Sequence, residues 1–263
     1  MVNFMDLRKL SITNNHFIMV SISMLILLGF WQLISLFYPE QFLPSPVTTG
    51  RVILNLILER DAAYHIYVSL YRIVFSFIWS MLGGILIGIV MGVNRVAESL
   101  MRTWVVVGLT IPSLGWALLS LLWFGLGDHS AIIATTLTVT PFTIGNIWEG
   151  VKSVDRDLVE MAKVFKIRGL NVIYEIYIQS LLPFVFASAR MAFSLAWKIL
   201  VIVEMFGLGN GVGYMLNYSY GNFRIDWLMG WLILFICVML LIEYLAFYPA
   251  ARYLFRWRKE QIL

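Results

Sequence analysis

Residues Asp155–Trp197 read DRDLVEMAKVFKIRGLNVIYEIYIQSLLPFVFASARMAFSLAW. This stretch decides the reading of the chain. It sets a charged, helix-forming segment of roughly thirty residues between two strongly apolar runs, each about the length a bilayer crossing needs. A protein that only has to cross a bilayer joins its spans by short connections. A long polar insert points instead to a docking surface in the water phase.

The flanks of the insert place it in a membrane protein. The 263 residues are 60% hydrophobic and 13% charged, with a mean hydropathy of +0.84. One soluble core cannot hide that much apolar surface. Six runs have the length and polarity of helical spans: Phe17–Phe37, Ile66–Val93, Trp104–Phe124, Ala131–Trp148, Leu182–Phe206 and Trp227–Tyr248. Pro141 interrupts the fourth, and Pro112 and Pro141 are candidate bends. Weak alternation of the outer-membrane-barrel kind is absent. The expected class is all-α and polytopic, with residues 1–16 as a cytoplasmic N-terminus and 17–263 as a single transmembrane domain.

Basic residues set the orientation. With the N-terminus inside, thirteen flanking Lys and Arg fall inside: Arg8, Lys9, Arg95, Arg102, Lys152, Arg156, Lys163, Lys166, Arg168, Arg252, Arg256, Arg258 and Lys259. Three fall outside: Arg51, Arg60 and Arg224. Both termini are therefore expected in the cytoplasm, and the net charge of +4 is a topology signal rather than a sign of nucleic acid binding. The first span is too long for a signal peptide's apolar core and reads as an uncleaved anchor. The single cysteine, Cys237, excludes an internal disulfide and a cysteine metal cluster.

Within the insert, Asp155 or Asp157 can cap a helix whose first turn carries Glu160. Apolar Leu158, Met161, Ala162, Phe165 and Ile167 alternate with Lys163, Lys166 and Arg168, and Gly169 and Asn171 break the pattern. A second short helix leads to Pro183. A charge-ringed apolar face of this kind suits either a groove on a partner or the lipid headgroup layer.

Here the chain resembles the permease subunits of bacterial ABC importers, through their EAA loop. Glu160 and Ala162 match the family's Glu and second Ala, with Met161 between them. Lys166 stands where the family has Gly, and Gln179 where it has Pro. Pro183, Arg190, Ala196 and Trp197 fit the branch that carries taurine, sulfonates, nitrate and bicarbonate. Ile111–Asp128, IPSLGWALLSLLWFGLGD, resembles that branch's IP-x-x-AW-x-PL…WFG-x-G signature, with Gly115 for the Ala. SLYR at Ser69–Arg72 and VEMFGLGNGVG at Val203–Gly213 also agree.

The resemblance implies a type I importer permease fold with a coupling loop at about 152–181. Leu158, Glu160, Met161, Ala162, Phe165, Lys166 and Gly169 would meet an ATP-binding subunit. It implies a homodimer, two ATP-binding subunits and an extracytoplasmic solute-binding protein, with ATP and Mg held by the partner. The chain itself lacks GxxxxGK[ST] and would bind no cofactor and catalyse no reaction. The competing classes are an ion-coupled carrier, which calls for internal repeats and paired midplane carboxylates, and a membrane enzyme or scaffold.

Ionisable residues inside spans are costly and point to function or pairing. Arg72 and Glu243 lie near span ends, within reach of the interface. Arg190 and Lys198 are eight residues apart, about 80° out of register, and share one broad helix face. Lys198 either neutralises a carboxylate within the bundle or lines the pathway and attracts an anion. Arg190, Ser194, Lys198 and Glu204 are the candidate pathway residues. GLGNGVG at Gly207–Gly213 follows a span rather than a strand, so it reads as a flexible outer loop, not a nucleotide loop. Gly83, Gly84, Gly88 and Gly92 predict close helix packing within the subunit. His16, His65 and His129 are too scattered for a metal site, and most tryptophans, Trp231 among them, are expected at the interfaces.

Overall fold

The computed structural model describes residues 4–58, 61–167 and 169–255, with side chains described from Ile18 onward except at Asp61. Arg8, Lys9, Arg60, Arg168, Arg256, Arg258 and Lys259, counted above for orientation, lie outside the described side chains. Among the described residues there are helices and no strands. They are α1 (Phe4–Ser35), α2 (Pro46–Leu58), α3 (Asp61–Val93), α4 (Arg95–Thr110), α5 (Ser113–Phe124), α6 (Asp128–Lys152), α7 (Arg156–Val164), α8 (Gly169–Gly207), α9 (Val212–Gly221) and α10 (Ile225–Leu254).

Five of these, α1, α3, α6, α8 and α10, are long and apolar enough to cross a membrane, and α4 with α5 makes a sixth if the bent pair is one span. Helix α6 is central: 56% of its most apolar 18-residue window is buried, against 6% of the window Ile18–Ser35 in α1. Helices α3 and α8 pack on α6. Thr138 and Thr140 of α6 return their hydroxyls to the carbonyls of Ala134 and Thr136, at 2.8 and 2.7 Å. A polar side chain is thereby satisfied within its own helix, as the bilayer requires.

The glycine stripe works as expected, with one refinement. A Cβ on Gly88 would stand 2.7 Å from the Cβ of Ile147, and Cβ atoms on Gly84 and Gly92 would overlap Thr143 and Val151. These three glycines, four residues apart, let α3 touch α6 along three turns. Gly83 is not part of the seam, since its Cβ would find only ordinary contact with Thr140. Helix α2 lies between the first two spans. Val52 and Leu56 are buried against Gly230 of α10 while Ile57 stays exposed.

Several expectations need correction. The third span is not continuous: α4 and α5 meet at 96°. Ile111 precedes Pro112 and is held extended, at φ −65° and ψ 122°, because the proline ring excludes the helical region for the residue before it. The second helix of the polar insert is not separate either. It runs through a widened turn at Ile173–Ile178 into the fifth span, so α8 is one rod of 39 residues. Pro183 is accommodated inside it. Pro141 likewise sits within a continuous α6. Trp231 is a core residue, 1% exposed, rather than an interface anchor.

Candidate functional site

The insert supplies the first feature. Asp155 caps α7 by accepting from the Asp157 amide at 2.9 Å. Val154, just before the helix, and Ala162 within it are buried. Leu158, Met161 and Phe165, at i, i+3 and i+7, form an exposed apolar stripe, with Val164 beside it. Glu160 is also exposed.

The end of α7 explains the glycine that the resemblance leads one to expect. Lys166 has φ 52°, in the left-handed region. Its amide donates to the Lys163 carbonyl at 3.0 Å, and the Ile167 amide donates to the Ala162 carbonyl at 3.0 Å. This is a Schellman termination, whose left-handed position glycine fills without strain. Here a lysine fills it. Gly169 then opens α8.

Helix α8 carries the candidate pathway residues. Arg190 is 63% exposed on its side chain and pairs with Glu243 of α10. Glu243 is therefore a partner within the bundle, not a residue reaching for the interface. Ser194 is half-buried and Lys198 exposed, and both lie on the stripe that also exposes Ala187 and Met191. The Lys198 ammonium lies 5.7 Å from the Trp197 ring centroid, and no ion pair reaches it among the described residues. Glu204 is not placed to neutralise it: it is six residues on, about 120° round the helix.

Glu204 belongs to a different cluster, at the end of α8 far from Gly169. It is fully buried and accepts from Arg72 Nη1 at 2.7 Å, from Ser69 Oγ at 2.9 and 2.8 Å, and from the Gly213 amide at 2.9 Å. Arg72, 1% exposed, also donates from Nε to Asp128 Oδ1 at 2.8 Å, and to the Asn210 carbonyl at 3.1 Å. It is not a residue snorkelling to the interface: Glu204, Asp128 and both the backbone and side-chain oxygens of Asn210 hold it inside. The loop Leu208–Gly211 is pinned rather than free. Gly211, at φ 104°, passes so close to the Glu204 carboxylate that any Cβ would collide with it, and its amide donates to His65 Nδ1 at 3.1 Å. Sequence reasoning missed this cluster, although SLYR and VEMFGLGNGVG contain most of it. The available signal was an arginine and a glutamate in separate apolar spans, which must pair.

Among the described residues no group of His, Cys, Asp and Glu could hold a metal. The family described as binding-protein-dependent transport system inner membrane component matches residues 84–259. A protein named for aliphatic sulfonates transport, the permease SsuC of Escherichia coli (strain K12), is 32% identical over 188 residues, 70% of this chain and 71% of its own. The nitrate import permease protein NrtB of Synechococcus elongatus is 28% identical over 205 residues, 74% of each chain. In fold, the chain is similar to the inward-facing MetNI methionine ABC transporter, with a TM-score of 0.64 at 17% identity, over 75% of this chain and 97% of that one. The ion-coupled carrier is set aside by these matches. The chain belongs to the binding-protein-dependent transport family and is a multi-pass inner-membrane permease subunit of an ABC importer, a transport component whose ATP is handled by separate subunits.

Proposed function

We propose that two copies of this chain enclose a translocation pathway lined by α8, and that it passes a small oxyanion such as a sulfonate or nitrate. The observation that carries this is Lys198: an exposed ammonium in a membrane span with no carboxylate partner among the described residues. Such a charge does not face hydrocarbon at acceptable cost, so its surroundings are water or a second subunit. The sulfonate and nitrate names of the relatives agree with a cationic lining. The apolar stripe Leu158, Met161 and Phe165 is the surface offered to the ATP-binding subunit, in the helix-in-groove mode. Glu160, Lys166 and Gly169 shape its rim and its end. The excess of basic residues around α7 supports placing this end, and both termini, in the cytoplasm. A solute-binding protein delivers the anion from the other side, at the end where α9 and the Gly211 loop lie.

The test combines access and transport. In a Cys237→Ser background, Ser194→Cys is expected to react with a membrane-impermeant maleimide in the assembled importer. Lys198→Met is expected to lower uptake of the anion about tenfold, equivalent to about 1.4 kcal/mol, while Lys198→Arg retains it. A cysteine at 194 that reacts only with lipid-soluble reagents, together with unimpaired uptake by Lys198→Met, would remove α8 from the pathway.

A further inference from the structure

The inner end of the bundle holds a second charged feature, distinct from the apolar stripe of α7. A cavity of about 950 Å³ opens between the start of α4, the end of α6 and the flank of α7. Five cations line it: Arg95, Arg102, Lys152, Arg156 and Lys163. Only two carboxylates do, Glu98 and Glu160, and Glu98 is engaged by Lys152. The lining therefore carries a net charge of +3, counted as five less two. Arg102 and Lys152 converge on the Trp148 ring, at 5.9 and 4.7 Å from its centroid.

The surroundings favour a ligand with an apolar tail. Val96, Leu100 and Trp104, at intervals of four residues beside the cavity, are 67%, 67% and 76% exposed. They form an apolar strip on α4 that continues from the charged mouth towards the hydrocarbon. We propose that this cavity binds the phosphate headgroup of an anionic inner-leaflet phospholipid, with its acyl chains along that strip. Basic pockets between helices on the cytoplasmic side take such headgroups for this electrostatic reason. Arg156 and Lys163 belong to α7, while Arg95 and Arg102 belong to α4, so one headgroup ties the coupling helix to the bundle. The inner-leaflet assignment rests on the orientation proposed above.

The purified full chain, without any ATPase, would be exchanged into phosphatidylglycerol or phosphatidylcholine, and the retained lipid read by native mass spectrometry. Selective retention of phosphatidylglycerol is expected, falling about fivefold for each charge removed in Arg95→Gln, Arg102→Gln and Lys163→Gln combined. Arg102→Gln alone, about fivefold weaker, covers the case in which the triple variant melts early. Arg51→Gln, at the far end of the molecule, is expected to change nothing. Equal retention of the two lipids, or a triple variant that folds and binds like the parent chain, overturns the proposal. So does displacement of the lipid by millimolar inorganic phosphate, which would mark a site for a free anion. Because no partner is present, a negative result leaves the docking of α7 untouched, and failed docking leaves this result standing.

Discussion

Lys166 pays the conformational cost of a left-handed residue in a turn that the geometry fits to glycine. Lys166→Gly is expected to stabilise the chain by about 1 kcal/mol, read as a shift in the urea midpoint with an unchanged slope. The residue-level position was legible from the EAA-like spacing, but its backbone angle was not. Arg72 makes the opposite point. Its charge is buried against Glu204, so Arg72→Ala is expected to destabilise by about 3–5 kcal/mol by orphaning the carboxylate. The double variant Arg72→Met with Glu204→Met is expected to recover most of that loss in the same unfolding assay. The sequence placed Arg72 correctly near the end of a span, but a pair separated by 132 residues leaves no local periodicity to read.

Among the elements, the α3–α6 seam is the most constrained. Gly88→Leu is expected to force the helices apart and cost about 1–3 kcal/mol, seen as a lowered melting temperature. Gly83→Ala, off the seam, is expected to leave melting unchanged. The seam was legible because small residues four apart have one strong structural meaning in lipid. The break between α4 and α5 was legible only as a proline. A hydropathy window sums residues and does not register that Ile111 is extended, so two helices at 96° read as one span. The opposite error affected α8, where Asn171 and Pro183 suggested interruptions but the helix runs on through both, with a widened turn at Ile173–Ile178 between them. Helix α7 was found from its caps and its pattern. For its free face, Met161→Glu is expected to abolish co-purification of the ATP-binding subunit while leaving the melting temperature of the isolated chain unchanged.

For the whole molecule, class and span number follow from composition, because bilayer thickness fixes helix length. The proposed pathway does not, since it runs between two copies. Cysteines introduced at Ala187 are expected to cross-link between two copies in the membrane if α8 faces its counterpart across the pathway. Only monomer on the gel, under conditions where Ser194→Cys is labelled, would place the partner on another face. The length of α8 has a mechanical implication. It is one rod from the foot beside α7 to the buried carboxylate at Glu204, and Phe184 bears on Gly150, where a Cβ would lie 2.7 Å from the ring. Treated as a lever with its fulcrum there, its inner arm is about 22 Å and its outer arm about 30 Å. A stroke delivered at the foot therefore arrives at the top enlarged by roughly a third and reversed in direction. The same thrust that draws the inner ends together would prise the outer ends apart.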